Sequence, residues 1–154
     1  EEHADTVESK IGLGRLGLLL DRLPAAEQFL QQAVEYRKTH LGEEHPDYGH
    51  ALLYYGALLT RLGRYKEAQE NLEKAVGIYK KCLGERHPDT ATALNYLGLL
   101  HTDTLDFEDA KRYLSQAVYI RKSSFGENHY ETAASMHDFG KLCWQRGVMG
   151  DSAQ

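Results

Sequence analysis

Proline is scarce in this chain: only Pro24, Pro46 and Pro88 occur in 154 residues. Few positions therefore forbid helix, and the many Ala, Leu, Glu, Gln, Lys and Arg residues favour it. The two cysteines, Cys82 and Cys143, are too few and too far apart for a disulfide framework or a C-x-x-C metal site. They read as free thiols, buried or half-buried, in a reducing compartment, so a cytoplasmic location is expected. No apolar run is long enough to span a bilayer, and the chain does not open on a basic then apolar leader. Net positive charge is missing too. A net charge of −5 disfavours nucleic acid and anionic lipid, whose phosphates attract basic surfaces.

Catalytic signatures are equally sparse. There is no Gly-rich phosphate loop, nucleophile elbow or kinase signature. None of the eight histidines pairs with another at four-residue spacing on one helix. Asp103, Asp106, Glu108 and Asp109 cluster, but they read as a solvated turn and an acidic helix start. No catalytic residue, cofactor or metal is expected, and the chain is read as a non-enzyme.

What is present is a repeat. A shift of 42 residues aligns the chain with itself without a gap. Leu41-Gly42-Glu43-Glu44-His45-Pro46-Asp47 returns as Leu83-Gly84-Glu85-Arg86-His87-Pro88-Asp89, and more loosely as Phe125-Gly126-Glu127-Asn128-His129-Tyr130-Glu131. The opening Glu1-Glu2-His3-Ala4-Asp5 is the same linker entered just after its glycine. The units are 1–42, 43–84, 85–126 and a partial 127–154. Within each, apolar residues follow a helical period. In a first helix, A, the pattern is Leu52, Tyr55, Gly56, Leu59, then Leu94, Leu97, Gly98, His101, then Met136, Phe139, Gly140, Cys143. Leu16, Leu58, Leu100 and Leu142 add one leucine per unit. In a second helix, B, one stripe carries Ala26, Ala68 and Ala110; Leu30, Leu72 and Leu114; and the pairs Ala33-Val34, Ala75-Val76 and Ala117-Val118.

Glycine at one interior position of every helix A (Gly14, Gly56, Gly98, Gly140) costs about 1 kcal/mol each relative to alanine. The pattern predicts a close neighbouring helix, with the aligned alanine of helix B as its contact. Gly42, Gly84 and Gly126 are expected as left-handed C-terminal caps. Pro24, Pro46 and Pro88 mark helix starts, and Asp21-Arg22 and Gly63-Arg64 mark the turns. The linker histidines His3, His45, His87 and His129 are expected to pack or cap helix starts. A helix pair this short cannot bury its own apolar face, so successive pairs must stack.

These residues resemble the tetratricopeptide repeat, and the 42-residue period with its Leu-Gly-x-x-His-Pro-Asp linker resembles the kinesin light chain type. Leu94-Asn95-Tyr96-Leu97-Gly98 is similar to that family's Leu-Asn-x-Leu-Ala core. The resemblance implies an all-α fold, a right-handed α-solenoid of antiparallel helix pairs with about three and a half repeats. It departs from the pattern at Gly17, where a large residue is usual, at Leu105, which stands where Gly63 stands, and at Ala4 and Tyr130, which replace the linker proline. The fourth unit stops at Gln154, just where its second helix should start at about Asp151, so the array reads as part of a longer protein.

The resemblance further implies a concave groove lined by the A helices. Its expected lining includes Arg15, His50, Leu53, Tyr54, Arg61, Asn95, Tyr96, Leu99, His137, Lys141 and Trp144. Tyr54, Tyr96 and Trp144 would be anchors, Asn95 a backbone-binding amide, and Arg15, Arg61 and Lys141 partners for acidic side chains. The carboxylate clamp of some tetratricopeptide domains uses lysines and asparagines where this chain has Ile11, Gly12, Leu53 and Tyr54. The repeated asparagine by which kinesin light chains hold tryptophan-containing acidic peptides falls on Ile11, Leu53, Asn95 and His137. A less acidic ligand, or a helix laid in the groove, is expected instead. The implied function is a protein-interaction adaptor or scaffold that binds a peptide or partner segment, as in cargo recognition. The alternative is an architectural or sensor segment contacting neighbouring domains of its own chain. No nucleic acid or membrane partner is expected, and exposed array ends imply weak self-association.

Overall fold

The computed structural model describes residues 4–151, and among the described residues it contains seven α-helices and no strand. They are α1 (Ala4–Leu19), α2 (Leu23–Leu41), α3 (Pro46–Arg61), α4 (Tyr65–Cys82), α5 (Pro88–Asp103), α6 (Phe107–Phe125) and α7 (Tyr130–Asp151). Two compact units result, 1–82 with α1 to α4 and 83–154 with α5 to α7. In the first, α1 packs on α2, α2 on α3 and α3 on α4; in the second, α5 packs on α6 and α6 on α7.

The alanines and leucines of the B-helix stripe are buried: Ala26, Leu30, Ala33, Ala68, Leu72, Ala75, Ala110, Leu114 and Ala117 are all fully enclosed, while Val34 and Val118 are half-buried. In the first unit, Val7 and Ile11 of α1 and Ala51 and Leu58 of α3 close on Ala26, Leu30 and Ala33 of α2. In the second, Leu142 of α7 joins Ala110 and Leu114 of α6. Within the units, α3 thus lies against α2 and α7 against α6, which is how a thin helix pair finds more apolar area to bury. The A-helix stripe is less uniform. Leu58, Leu100 and Leu142 are buried, but Leu16 and Met136 are about half exposed.

The helical glycines do make room for a neighbour, but its nearest contact is leucine; the aligned alanine adds only the Ala68 carbonyl, 3.4 Å from a Cβ on Gly56. A Cβ on Gly14 would lie 2.5 Å from Leu30 Cγ; on Gly56, 2.7 Å from Leu72 Cγ; on Gly98, 2.6 Å from Leu114 Cγ. The alanine four residues earlier in helix B instead faces Gly17 in the first pair, where an added Cβ would sit 2.8 Å from Ala26 Cβ. Gly140 meets open space.

The helix starts are built as the spacing predicts. Nδ1 of His45 accepts the Asp47 backbone N–H, and Nδ1 of His87 accepts that of Asp89, each at 3.1 Å, with proline next in line. His129 repeats the bond to Glu131 N–H at 3.3 Å. The imidazole does the work usually given to a Ser or Asp oxygen, a contribution of about 1 kcal/mol per helix. His3 lies outside the described residues. Asp106 caps α6 by accepting from Asp109 N–H, so the acidic helix start is also present.

Two expectations need correction. Gly42 and Gly126 have positive φ (88° and 85°) but ψ of 164° and 172°. They are extended rather than left-handed helical, in a region open essentially to glycine alone. Cys82 and Cys143 are both exposed, not buried, because each falls on the outward side of its helix; the Cys82 thiol donates to the Glu44 carbonyl at 3.2 Å. α7 runs through Gly147 to Asp151, six residues longer than α5. At the turn between α5 and α6, Leu105 adopts φ 62°, matching Gly63 (74°) and Asp21 (57°). The turn geometry is kept and leucine bears the cost, about 1–2 kcal/mol.

Candidate functional site

In the first unit α1 and α3 bring three of the expected groove residues together. The Arg15 guanidinium lies 4.8 Å from the Tyr54 ring centre, and the His50 ring meets Tyr54 edge-on at 5.0 Å. A cation over an aromatic face is worth about 0.5–1 kcal/mol where solvent reaches it. Beneath them Arg37, buried on α2, bonds His50 Nδ1 at 3.2 Å, the Asp47 carbonyl at 2.8 Å and the Glu8 carboxylate. Leu53 is buried, as is Ile11 in the same column, so both belong to the floor of this face. Arg61 stands apart at the end of α3, paired with Asp21 at 2.9 Å.

In the second unit Asn95 is buried on α5, and its amide donates to Asp138 of α7 at 2.8 Å. Its Oδ1 has no bonding partner. Tyr96 and Leu99 are half-buried, whereas His137, Lys141 and Trp144 are exposed on α7, Trp144 at 69%. Among the described residues Trp144 therefore offers its ring to solvent rather than to another helix.

Two buried arginines, one in each unit, carry no signal in the 42-residue repeat. Arg121 is the counterpart of Arg37 two units on. It is buried on α6 and bonds the Glu131 carbonyl at 3.3 Å, Thr92 Oγ1 at 2.9 Å and Ser135 Oγ. Both arginines tie helix B to the A helices on either side of it. The intervening column holds Tyr79, against which an added Cβ on Gly49 would lie at 3.2 Å, so the device alternates. A signal exists only at twice the repeat length.

Burial, followed by the nearby charge of Arg37, holds the His50 imidazole below its ordinary range. The folded chain binds this proton less readily than the unfolded chain. The resulting stability is complete above the unfolded value of about 6.5 and is lost as pH falls through the depressed folded value. Urea midpoints measured across that range should therefore fall more steeply for the native chain than for His50→Gln.

Elsewhere on the first unit a shallow cleft of about 330 Å³ is lined by Glu43, Glu44, Lys74, Gly77, Ile78 and Lys81. Its charges are already satisfied as Glu43–Lys74 and Glu44–Lys81 pairs. No helix among the described residues is long and apolar enough to cross a membrane.

Comparison with known proteins follows the same lines. Tetratricopeptide repeat family models match residues 47–123 and 89–147, and a second such model matches 6–47. No curated protein sequence matches the chain. Among solved structures, nearly identical TPR-like repeats of kinesin light chain type from Podosopora anserina superpose with a TM-score of 0.84 at 24% identity, covering 98% of this chain and 72% of that one. BtubC (BKLC) from P. vanneervenii gives 0.80 at 17% identity over 96% of this chain, which spans 59% of its length. The Sgt2 TPR domain from Aspergillus fumigatus gives 0.66 at 17% identity, over 96% and 83% of the two chains. At these identities the likeness is one of fold, an α-solenoid of helix pairs. With the family models matching well over half of its residues, the chain belongs to the tetratricopeptide repeat family.

Proposed function

We propose that this chain is a non-catalytic adaptor module that binds a peptide or partner segment along its A helices, in the groove of the repeat stack. Tetratricopeptide repeats are in general protein-interaction modules. The observation that carries the finer reading is the Arg15–Tyr54–His50 constellation. It places a cation, a broad aromatic ring and a titratable group on one face where an inert surface would need none of them. Tyr96 and Trp144 would supply further aromatic area, and Lys141 a second cation. Tyrosine and tryptophan offer large contact area with few rotatable bonds, which makes them efficient anchors. A cation and broad aromatic rings in each unit favour a ligand of mixed charge with apolar anchors, bound in the cytoplasm.

A peptide selected from a displayed library on the native chain provides the probe. Tyr54→Ala combined with Tyr96→Ala should weaken that peptide at least tenfold while far-ultraviolet circular dichroism stays unchanged. Undiminished affinity in the double variant would move the site off these helices.

A further inference from the structure

We infer that Asp138, on the α5–α7 part of the groove, holds a lysine or arginine side chain of the bound peptide; this rests on the groove function proposed above. Asp138 is half-buried on α7, and its Oδ2 accepts the Asn95 amide N–H at 2.8 Å. Its Oδ1 takes no bond from any described residue and is open to solvent. The other half-buried carboxylates among the described residues each meet an arginine: Glu27 with Arg64, Asp109 with Arg112 and Glu131 with Arg121. Asp138 meets no cation among the described residues, although His137 and Lys141 stand on the same helix. A carboxylate held partly out of water is unfavourable unless a positive group balances it.

The repeat register shows which cation is missing. Two units earlier, the counterpart of Asp138 is Tyr54 and the counterpart of Leu99 is Arg15. In the first unit α1 supplies its own cation, Arg15, to the Tyr54 ring at 4.8 Å. In the second unit the acceptor is stronger, a full negative charge in place of a ring quadrupole. Yet α5 offers only the half-buried Leu99 at the position of the arginine. The residue beneath changes as well. Ile11 of α1 becomes Asn95 in α5, both buried, and the Asn95 amide fixes the carboxylate. The second unit thus keeps an acceptor for positive charge and leaves the cation to come from the ligand. An ammonium or guanidinium, with several N–H donors and no acceptor, matches a carboxylate oxygen that is free and solvent-facing.

Peptides selected from a displayed library on the native chain provide the probe. They should share a lysine or arginine whose replacement by glutamine weakens binding to the native chain roughly fivefold or more. The same replacement should matter less than about twofold for Asp138→Asn, which keeps an acceptor for Asn95 but removes the charge. Leu99→Arg, which gives α5 the cation that α1 has, should weaken these peptides by a similar factor with circular dichroism unchanged, whereas Leu99→Met should bind as the native chain does. A cation requirement left intact by Asp138→Asn would overturn the inference. Peptides that need no cation, yet lose affinity in the Tyr54→Ala, Tyr96→Ala chain, would overturn it and leave the groove reading standing. Peptides indifferent both to that double variant and to Asp138→Asn would overturn the two together.

Discussion

Gly98→Ala is expected to lower stability by roughly 2 kcal/mol, while Gly140→Ala, at the same register in α7, is expected to raise it by up to about 1 kcal/mol. Both substitutions remove the same entropic disadvantage of glycine within a helix. What differs is the space each new methyl enters. At Gly98 it would lie 2.6 Å from Leu114 Cγ, 2.8 Å from Leu114 Cδ2 and 3.2 Å from Leu114 N. The leucine is fully buried and cannot rotate away, and the backbone atom fixes the helix itself, so α5 and α6 must part. At Gly140 nothing lies within 4 Å. The two thermal midpoints should therefore move in opposite directions, Gly98→Ala downward by about 5 °C for a chain of this size. A rise for both would mean that the A and B helices are not held at leucine-to-backbone contact.

Arg121→Ala is expected to cost about 2–4 kcal/mol, against less than about 0.5 kcal/mol for Arg112→Ala. The two arginines are nine residues apart on α6. Arg112 is more than half exposed and pairs with Asp109 in solvent, where Coulomb attraction is weak and side-chain entropy opposes it. Arg121 is buried, with Thr92, Ser135 and the Glu131 carbonyl all bonded to its guanidinium and the Glu131 carboxylate 3.5 Å from Nε. Its removal leaves several enclosed polar atoms without partners and deletes the packed alkyl stem. Urea denaturation gives the magnitudes. Amide exchange should also quicken in α7 for Arg121→Ala, since that helix loses its tie to α6.

Much of this architecture is legible in the residues themselves. The B-helix stripe is legible because every unit buries the same small and branched side chains, so periodicity and packing coincide at Ala68, Leu72 and Ala75. The caps at His45, His87 and His129 are legible because proline or a helix start follows each one. The contact of the helical glycines is harder. Alanine and leucine recur at neighbouring turns of helix B, and only the backbone separation shows that the leucine fills the gap. Arg37 and Arg121 escape notice because a long cation inside a helix ordinarily reads as solvent-facing. Their partners are a backbone carbonyl and residues on two other helices. Cys82 and Cys143 mislead in the opposite way, as residues that usually pack inside. Of the expected groove residues, the column pattern assigns each to its helix, yet it does not tell that Leu53 and Asn95 are enclosed while Trp144 is exposed.

The hairpin turns place Asp21, Gly63 and Leu105 at one backbone conformation with three unrelated side chains. The bend is thus imposed by the helices on either side of it, and a side chain at its tip is tolerated at a cost of about 1–2 kcal/mol. Such a tip is a natural attachment point. A fluorophore or crosslinker installed at position 21, 63 or 105 would report on its own hairpin without disturbing the leucine-to-glycine contacts that set helix spacing.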